Sequence, residues 1–217
     1  MTTLFMVQLG ATPKGRLIEQ HDMFFGVADK VGDLIDAINA HWPAVKNKWH
    51  IDSYRSVTTV INPDGSAYHI EWQDDNTAAK GNINSSIKSN QSTDNASDLK
   101  LFFINLGGYQ EGSIEEFHYK MLVVAPTQAT AMKAAATTEF YKHYSYNDDD
   151  VPFNAASHID NKHQVDVDDI YDVDGLLSVG RLAITPIPVG SIDFDEAVED
   201  KNYVGYLSLK TLKSLAL

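Results

Sequence analysis

The sequence has no cysteine, which excludes disulfides, thiolate metal sites and a thiol nucleophile. It has no apolar run long enough to cross a bilayer. Its first residues, MTTLFMVQLGATPKG, lack a basic segment ahead of a signal-length apolar stretch. These absences point to a soluble cytoplasmic protein. Cations are scarce: 17 Lys and Arg stand against 30 Asp and Glu, a formal net charge of −13. The imbalance lies mostly in the second part, with 9 cations to 12 acids over residues 1–100 and 8 to 18 over 101–217. Neutralising phosphates takes clustered Lys and Arg, and none is present, so nucleic acid and anionic membrane are excluded as direct partners. The acid reads as a solvated surface. G-x-S-x-G is also missing, so no serine-hydrolase elbow is in view.

What is present begins with LGATPKGRLIEQHD, residues 9–22. Gly10 and Gly15 have the spacing of a phosphate-binding loop, but Arg16 and Leu17 stand where lysine and a magnesium-binding hydroxyl belong. The stretch that follows reads as a strand, so no helix N-terminus faces the loop. A repeat supplies another explanation. LFMVQLGATPKGRLIEQHDMFFGVA from Leu4 aligns without a gap on LFFINLGGYQEGSIEEFHYKMLVVA from Leu101, with 9 of 25 positions identical. The glycines recur as Gly107 and Gly112, whereas Lys14 becomes Glu111 and Arg16 becomes Ser113. Glycine kept while charge is lost suggests a backbone need, such as positive φ or close chain approach in a turn between two strands.

The likeness continues. Val31, Leu34, Ile35, Ile38 and Trp42 fall at helical spacing with Asp29 as the expected N-cap, and Met132, Ala135, Ala136 and Phe140 form the matching apolar face. His50-Ile51-Asp52 then matches His158-Ile159-Asp160. A hairpin is expected around Asn62-Pro63-Asp64-Gly65, and its counterpart around Asp174-Gly175. The latter resembles a calcium loop, but Ile170 and Arg181 occupy positions that must be acidic. The expected architecture is α+β: two related strand-strand-helix-strand-strand units packed as a pseudo-two-fold repeat. The first unit is residues 1–75, and 76–99 is a polar linker or long loop. Residues 100–185 form the second unit, and 186–217 a C-terminal extension packing on the sheet.

The polar residues shared by both units are Glu19, His21, His50 and Asp52 with Glu116, His118, His158 and Asp160. Each pair is spaced i, i+2, which on a strand puts both side chains on one face. Three readings follow. The groups staple the fold by hydrogen-bonding one another, or they line a site for an unknown small molecule or protein, or they bind a divalent metal that activates water. No other cofactor is called for. Asp22 is replaced by Tyr119 in the second unit and so is not part of the shared device. Trp42 is expected in the core, while Trp49 and Trp72 flank the shared segments.

In LGATPKGRLIEQHDMFFGVA followed by WHID, the chain resembles a bacterial family known as domain of unknown function 1543. Shared features are the leading Leu-Gly, the second glycine, Glu-x-His-Asp and a later His-Ile-Asp. The first unit carries the likeness well, and the second resembles a diverged copy. The resemblance implies a bacterial source and a duplication, and it carries no established activity. The expected function is therefore a non-catalytic binding or structural protein, with a metal-assisted enzyme acting at the interface of the two units as the alternative.

Overall fold

Alternation in TLFMVQLGA sends Phe5, Val7 and Leu9 to one face of strand β1 (Thr3–Ala11) and Leu4, Met6 and Gln8 to the other. A computed structural model describes this strand within residues 2–74, 99–144, 158–159, 170–190, 200 and 202–215. Residues 76–98 of the expected linker and Asp160 lie outside the described residues.

β1 pairs antiparallel with β2 (Gln20–Ala28) and β3 (His50–Val57). Between β2 and β3 lie a 3₁₀ turn at Val31–Leu34 and helix α1 (Ile35–His41). The expected cap at Asp29 is not made. The tighter first turn moves the cap to Lys30, whose N–H donates to Asp33 Oδ2 at 3.2 Å, while Asp29 Oδ1 accepts from the Thr2 hydroxyl at 3.0 Å. β4 (Thr59–Ile61) and β5 (Ala67–Gln73) form the expected hairpin, closed by Gly65 N–H donating to Asn62 O at 2.9 Å with Gly65 at φ +85°.

The second part repeats the opening pairings. β6 (Lys100–Gly108) and β7 (Phe117–Ala125) set Lys100 opposite Ala125 and Gly108 opposite Phe117, as Thr3 faces Ala28 and Ala11 faces Gln20. The turn glycines Gly15 and Gly112 have φ of +87° and +78°, values that a side chain strongly disfavours. Here the helical segment is split into α2 (Gln128–Ala135) and α3 (Glu139–His143). The Thr137 and Thr138 hydroxyls donate back to Ala134 O and Ala135 O, which ends α2, and Thr138 then caps α3.

The partner of β3 is broken here into β8 (His158–Ile159) and β9 (Ile170–Asp172), both lying on β6. This corrects the expected hairpin at Asp174-Gly175. β9 pairs with β6, whereas β10 (Arg181–Ile187) crosses to pair with β5, Ile184 opposite Ile70. Asp174 instead accepts from Leu182 N–H at 2.8 Å. Burial raises the pKa of its carboxyl against that hydrogen bond. A raised carboxyl pKa means that the cost of burying the charge builds up above the unfolded-state value and vanishes below it. Asp174→Asn keeps an acceptor without the charge, so it is expected to raise the melting temperature slightly at pH 7 and leave it unchanged at pH 3. An equal change at both pH values would contradict this.

β11 (Asn202–Ser208) adds to the outer edge of β3, giving the order β11-β3-β1-β2, and helix α4 (Leu209–Leu215) follows. The fold is α+β, with several antiparallel sheets and short helices. One core packs α1 and α4 on the first sheet through Ile38, Trp49, Ile51 and Leu212. A central core joins both units through Leu4, Phe25, Ile70, Leu101, Phe103 and Leu122. A third packs α2 on β6 and β7. No helix among the described residues is long and apolar enough to cross a membrane.

Candidate functional site

Gly10 sits in the middle strand of the first sheet, not in a turn. It lies opposite His21 on β2 and opposite His50 on β3. A Cβ on Gly10 would stand 2.5 Å from His50 Nε2 and 2.8 Å from Asp52 Oδ2. The missing side chain therefore lets groups from the two flanking strands meet over the central one. β3 carries a bulge at this level: Ile51 pairs with Leu9 and Ser53 with Gln8, leaving Asp52 as the extra residue. The bulge keeps Ile51 and Tyr54 against the helix-side core while Asp52 turns toward His50.

The result is a four-group cluster. His50 Nε2 lies 3.0 Å from Asp52 Oδ1 and 3.3 Å from Glu19 Oε1. His21 Nε2 lies 3.3 Å from Asp52 Oδ2 and 3.4 Å from Glu19 Oε2. The two imidazoles thus address opposite oxygens of the same two carboxylates. Asp52 Oδ2 is buried and makes no hydrogen bond, because His21 approaches it without hydrogen-bond geometry. Donor atoms of Glu19, His50 and Asp52 all lie within 4.8 Å of one another, as a single bound ion would require. The side chain of His50 is 10% exposed and those of Glu19 and His21 are 40% and 44% exposed, so the cluster has a fixed floor and an open top.

Two neighbours hold His50. The Tyr206 ring, from β11, lies over it with centroids 4.4 Å apart. On the chain leading to it, Asn39 of α1 is buried, and its Oδ1 accepts from Trp49 Nε1 at 2.9 Å and from Asn47 N–H at 2.8 Å. That anchors the loop delivering His50, including Asn47 in its positive-φ conformation. Trp49 is thereby a core residue, and Trp72 packs at the edge of the central core. Asp22 pairs with His41 at 2.9 Å, outside the cluster. At the matching position Tyr119 stacks on Phe140.

In the second unit Glu116 and His118 lie 3.8 Å apart. Gly107 pairs with His118 on one side and His158 on the other, which is the backbone arrangement around Gly10. The side chain of His158 and all of Asp160 lie outside what the structure describes. Gly10, Asn39 and Tyr206 were not singled out as site residues from the sequence. Gly10 carried a signal, because it recurs as Gly107 within a strand-like stretch and not within the turn itself.

A cleft of about 320 Å³ opens on the same sheet face, between Met6, Gln8 and Met23 and the facing Lys120 and Leu122 of β7. Ser53, next to Asp52, is part of its wall. The cluster thus stands one residue from the cleft between the first sheet and β7.

No curated protein matches this chain. A solved structure described as a protein Il1583 from Idiomarina loihiensis is similar over the whole length. It shares 18% identity, covers 96% of this chain and 99% of that one, and superposes with a TM-score of 0.54, a likeness of fold. The span that holds Glu19, His21, His50 and Asp52 has a family match: residues 16–70 fit the model described as Domain of Unknown Function (DUF1543).

Proposed function

We propose that this chain is a non-catalytic binding protein whose ligand sits over Gly10, between Glu19, His21, His50 and Asp52. The observation that carries this is Asp52. Its Oδ2 is buried without a hydrogen bond, beside a second carboxylate, and both carboxylates have only imidazoles as ionic partners among the described residues. A staple satisfies its groups internally, because an unpaired buried acceptor costs about 1–3 kcal/mol. A binding site leaves that demand for its ligand. Duplication of one strand-strand-helix-strand-strand unit, with the Glu-x-His and His-x-Asp segments kept in both copies, is the origin that the matched pairings support.

Binding and stapling predict opposite stability changes. Residues kept for binding are held against folding, so removing them is neutral or stabilising. In chelator-dialysed protein, Glu19→Gln and Asp52→Asn are expected to leave the melting temperature unchanged or raise it by about 2–4 °C. A fall of more than about 4 °C in both variants, on the same scale, would mean that the cluster exists to hold the fold.

The cleft on the same face favours one second reading, a metal-assisted enzyme with its substrate between the two units. It requires turnover that depends on cleft residues such as Gln8 and Ser53.

A further inference from the structure

We infer that Glu19, His50 and Asp52 bind one divalent first-row transition ion, with His21 as a positioning residue. The inference rests on the binding reading above and names its ligand.

Geometry is the first argument. A tetrahedral ion with bonds of about 2.0–2.1 Å holds its ligand atoms about 3.3 Å apart. His50 Nε2 stands 3.3 Å from Glu19 Oε1, that separation, and 3.0 Å from Asp52 Oδ1, somewhat inside it, and ligand atoms of all three residues lie within 4.8 Å of one another.

Charge is the second. Ligating imidazoles are neutral and ligating carboxylates ionised. Glu19 and Asp52 then bring two negative charges together, and the described residues offer no Lys or Arg in ion-pair contact with either. A divalent cation balances them. An imidazole beside two carboxylates suits Zn²⁺, Mn²⁺, Fe²⁺ or Co²⁺, whereas Mg²⁺ and Ca²⁺ prefer all-oxygen sets.

Support around the ligands is the third. His50 is nearly buried, with its ring covered by Tyr206. The glycine below leaves room where any Cβ would meet His50 Nε2. His21 faces the far oxygen of each carboxylate at 3.4 and 3.3 Å, a contact that leaves the near oxygens to the ion.

The test uses full-length, untagged, chelator-dialysed protein titrated calorimetrically with ZnCl₂, MnCl₂ or CoCl₂, with MgCl₂ as comparison. One ion per chain is expected, with a raised melting temperature and, for Co²⁺, a visible spectrum of low-coordinate type. Glu19→Gln, Asp52→Asn and His50→Gln should each weaken binding at least 100-fold, and His21→Gln about 10- to 100-fold. Gly10→Ala keeps every ligand and should also lose the ion. His143→Gln, on the exposed face of α3, should change nothing. Failure to bind any of the three ions, or binding unaffected by Glu19→Gln and Asp52→Asn, overturns the inference. If those two variants melt at or above the parent while no ion binds, the metal is wrong and the binding reading stands. If both melt well below it, the binding reading itself falls.

Discussion

Asp200→Ala is expected to lower the melting temperature by about 10 °C, from a loss of roughly 3–5 kcal/mol at about 2–4 °C per kcal/mol in a chain of this size. The Asp200 side chain is fully buried. One carboxylate oxygen accepts from Thr58 N–H at 2.7 Å, the Thr58 hydroxyl at 2.8 Å and Thr59 N–H at 2.9 Å. The other accepts from Arg55 Nε at 2.7 Å, and the same guanidinium donates through Nη2 to Thr59 O at 2.9 Å. Alanine leaves two backbone donors and a partly buried cation without their acceptor. That desolvation cost, more than any lost attraction, sets the size of the effect. Asp200→Asn retains an acceptor and should lose about half as much. Thermal unfolding followed by circular dichroism measures both. A fall of less than about 3 °C for alanine, by the same conversion, would show that these donors find other partners.

The second large effect is expected at Asn62. This buried turn residue acts as one link of a β-ladder. Its Oδ1 accepts from Val124 N–H at 2.9 Å, and its Nδ2 donates to Val124 O at 2.8 Å. The β4–β5 turn is thereby clamped to the edge strand of the other unit. Asn62→Ala orphans both backbone groups, a loss of about 2–6 kcal/mol at roughly 1–3 per buried group. Asn62→Asp keeps the acceptor but turns a charged oxygen toward Val124 O, so it should destabilise at least as much. Hydrogen exchange at the Val124 amide separates this clamp from a general loosening. Its protection should collapse in Asn62→Ala while that of Val7, in the middle of β1, changes only with global stability. Unchanged protection at Val124 would show that the side chain is not the clamp.

The parts of the fold that were legible in the sequence are those set by local chemistry. The matched apolar stretches LFMVQLGA and LFFINLGG marked β1 and β6, and Gly15 and Gly112 marked the turns that follow them. Asn-Pro-Asp-Gly marked the β4–β5 hairpin. The Asp174-Gly175 turn has the same local chemistry as Asp64-Gly65, yet β10 pairs with β5 and not with β9. Turn residues decide how the chain reverses. They do not decide which strand it meets next.

The site divides in the same way. Spacing by two placed Glu19 with His21, and His50 with Asp52, on common faces. Nothing local brings the first pair to the second, because that meeting depends on β1 running between them and on Gly10 leaving the space. Tyr206 depends on where β11 docks, and Asp200 on donors 142 residues earlier in the chain. One acid among thirty carries no local sign of such a role.

The docking of β11 on β3 also bears on how the protein is made. During synthesis, β1, β2 and β3 leave the ribosome long before residue 208. Until then β3 presents an open hydrogen-bonding edge, and Thr58 and Thr59 wait for Asp200. A nascent chain halted near residue 185 would hold every residue of the first cluster, yet lack the strand that seals its sheet and the ring that covers His50. The amino-terminal sheet is therefore completed only once residues 202–208 have emerged.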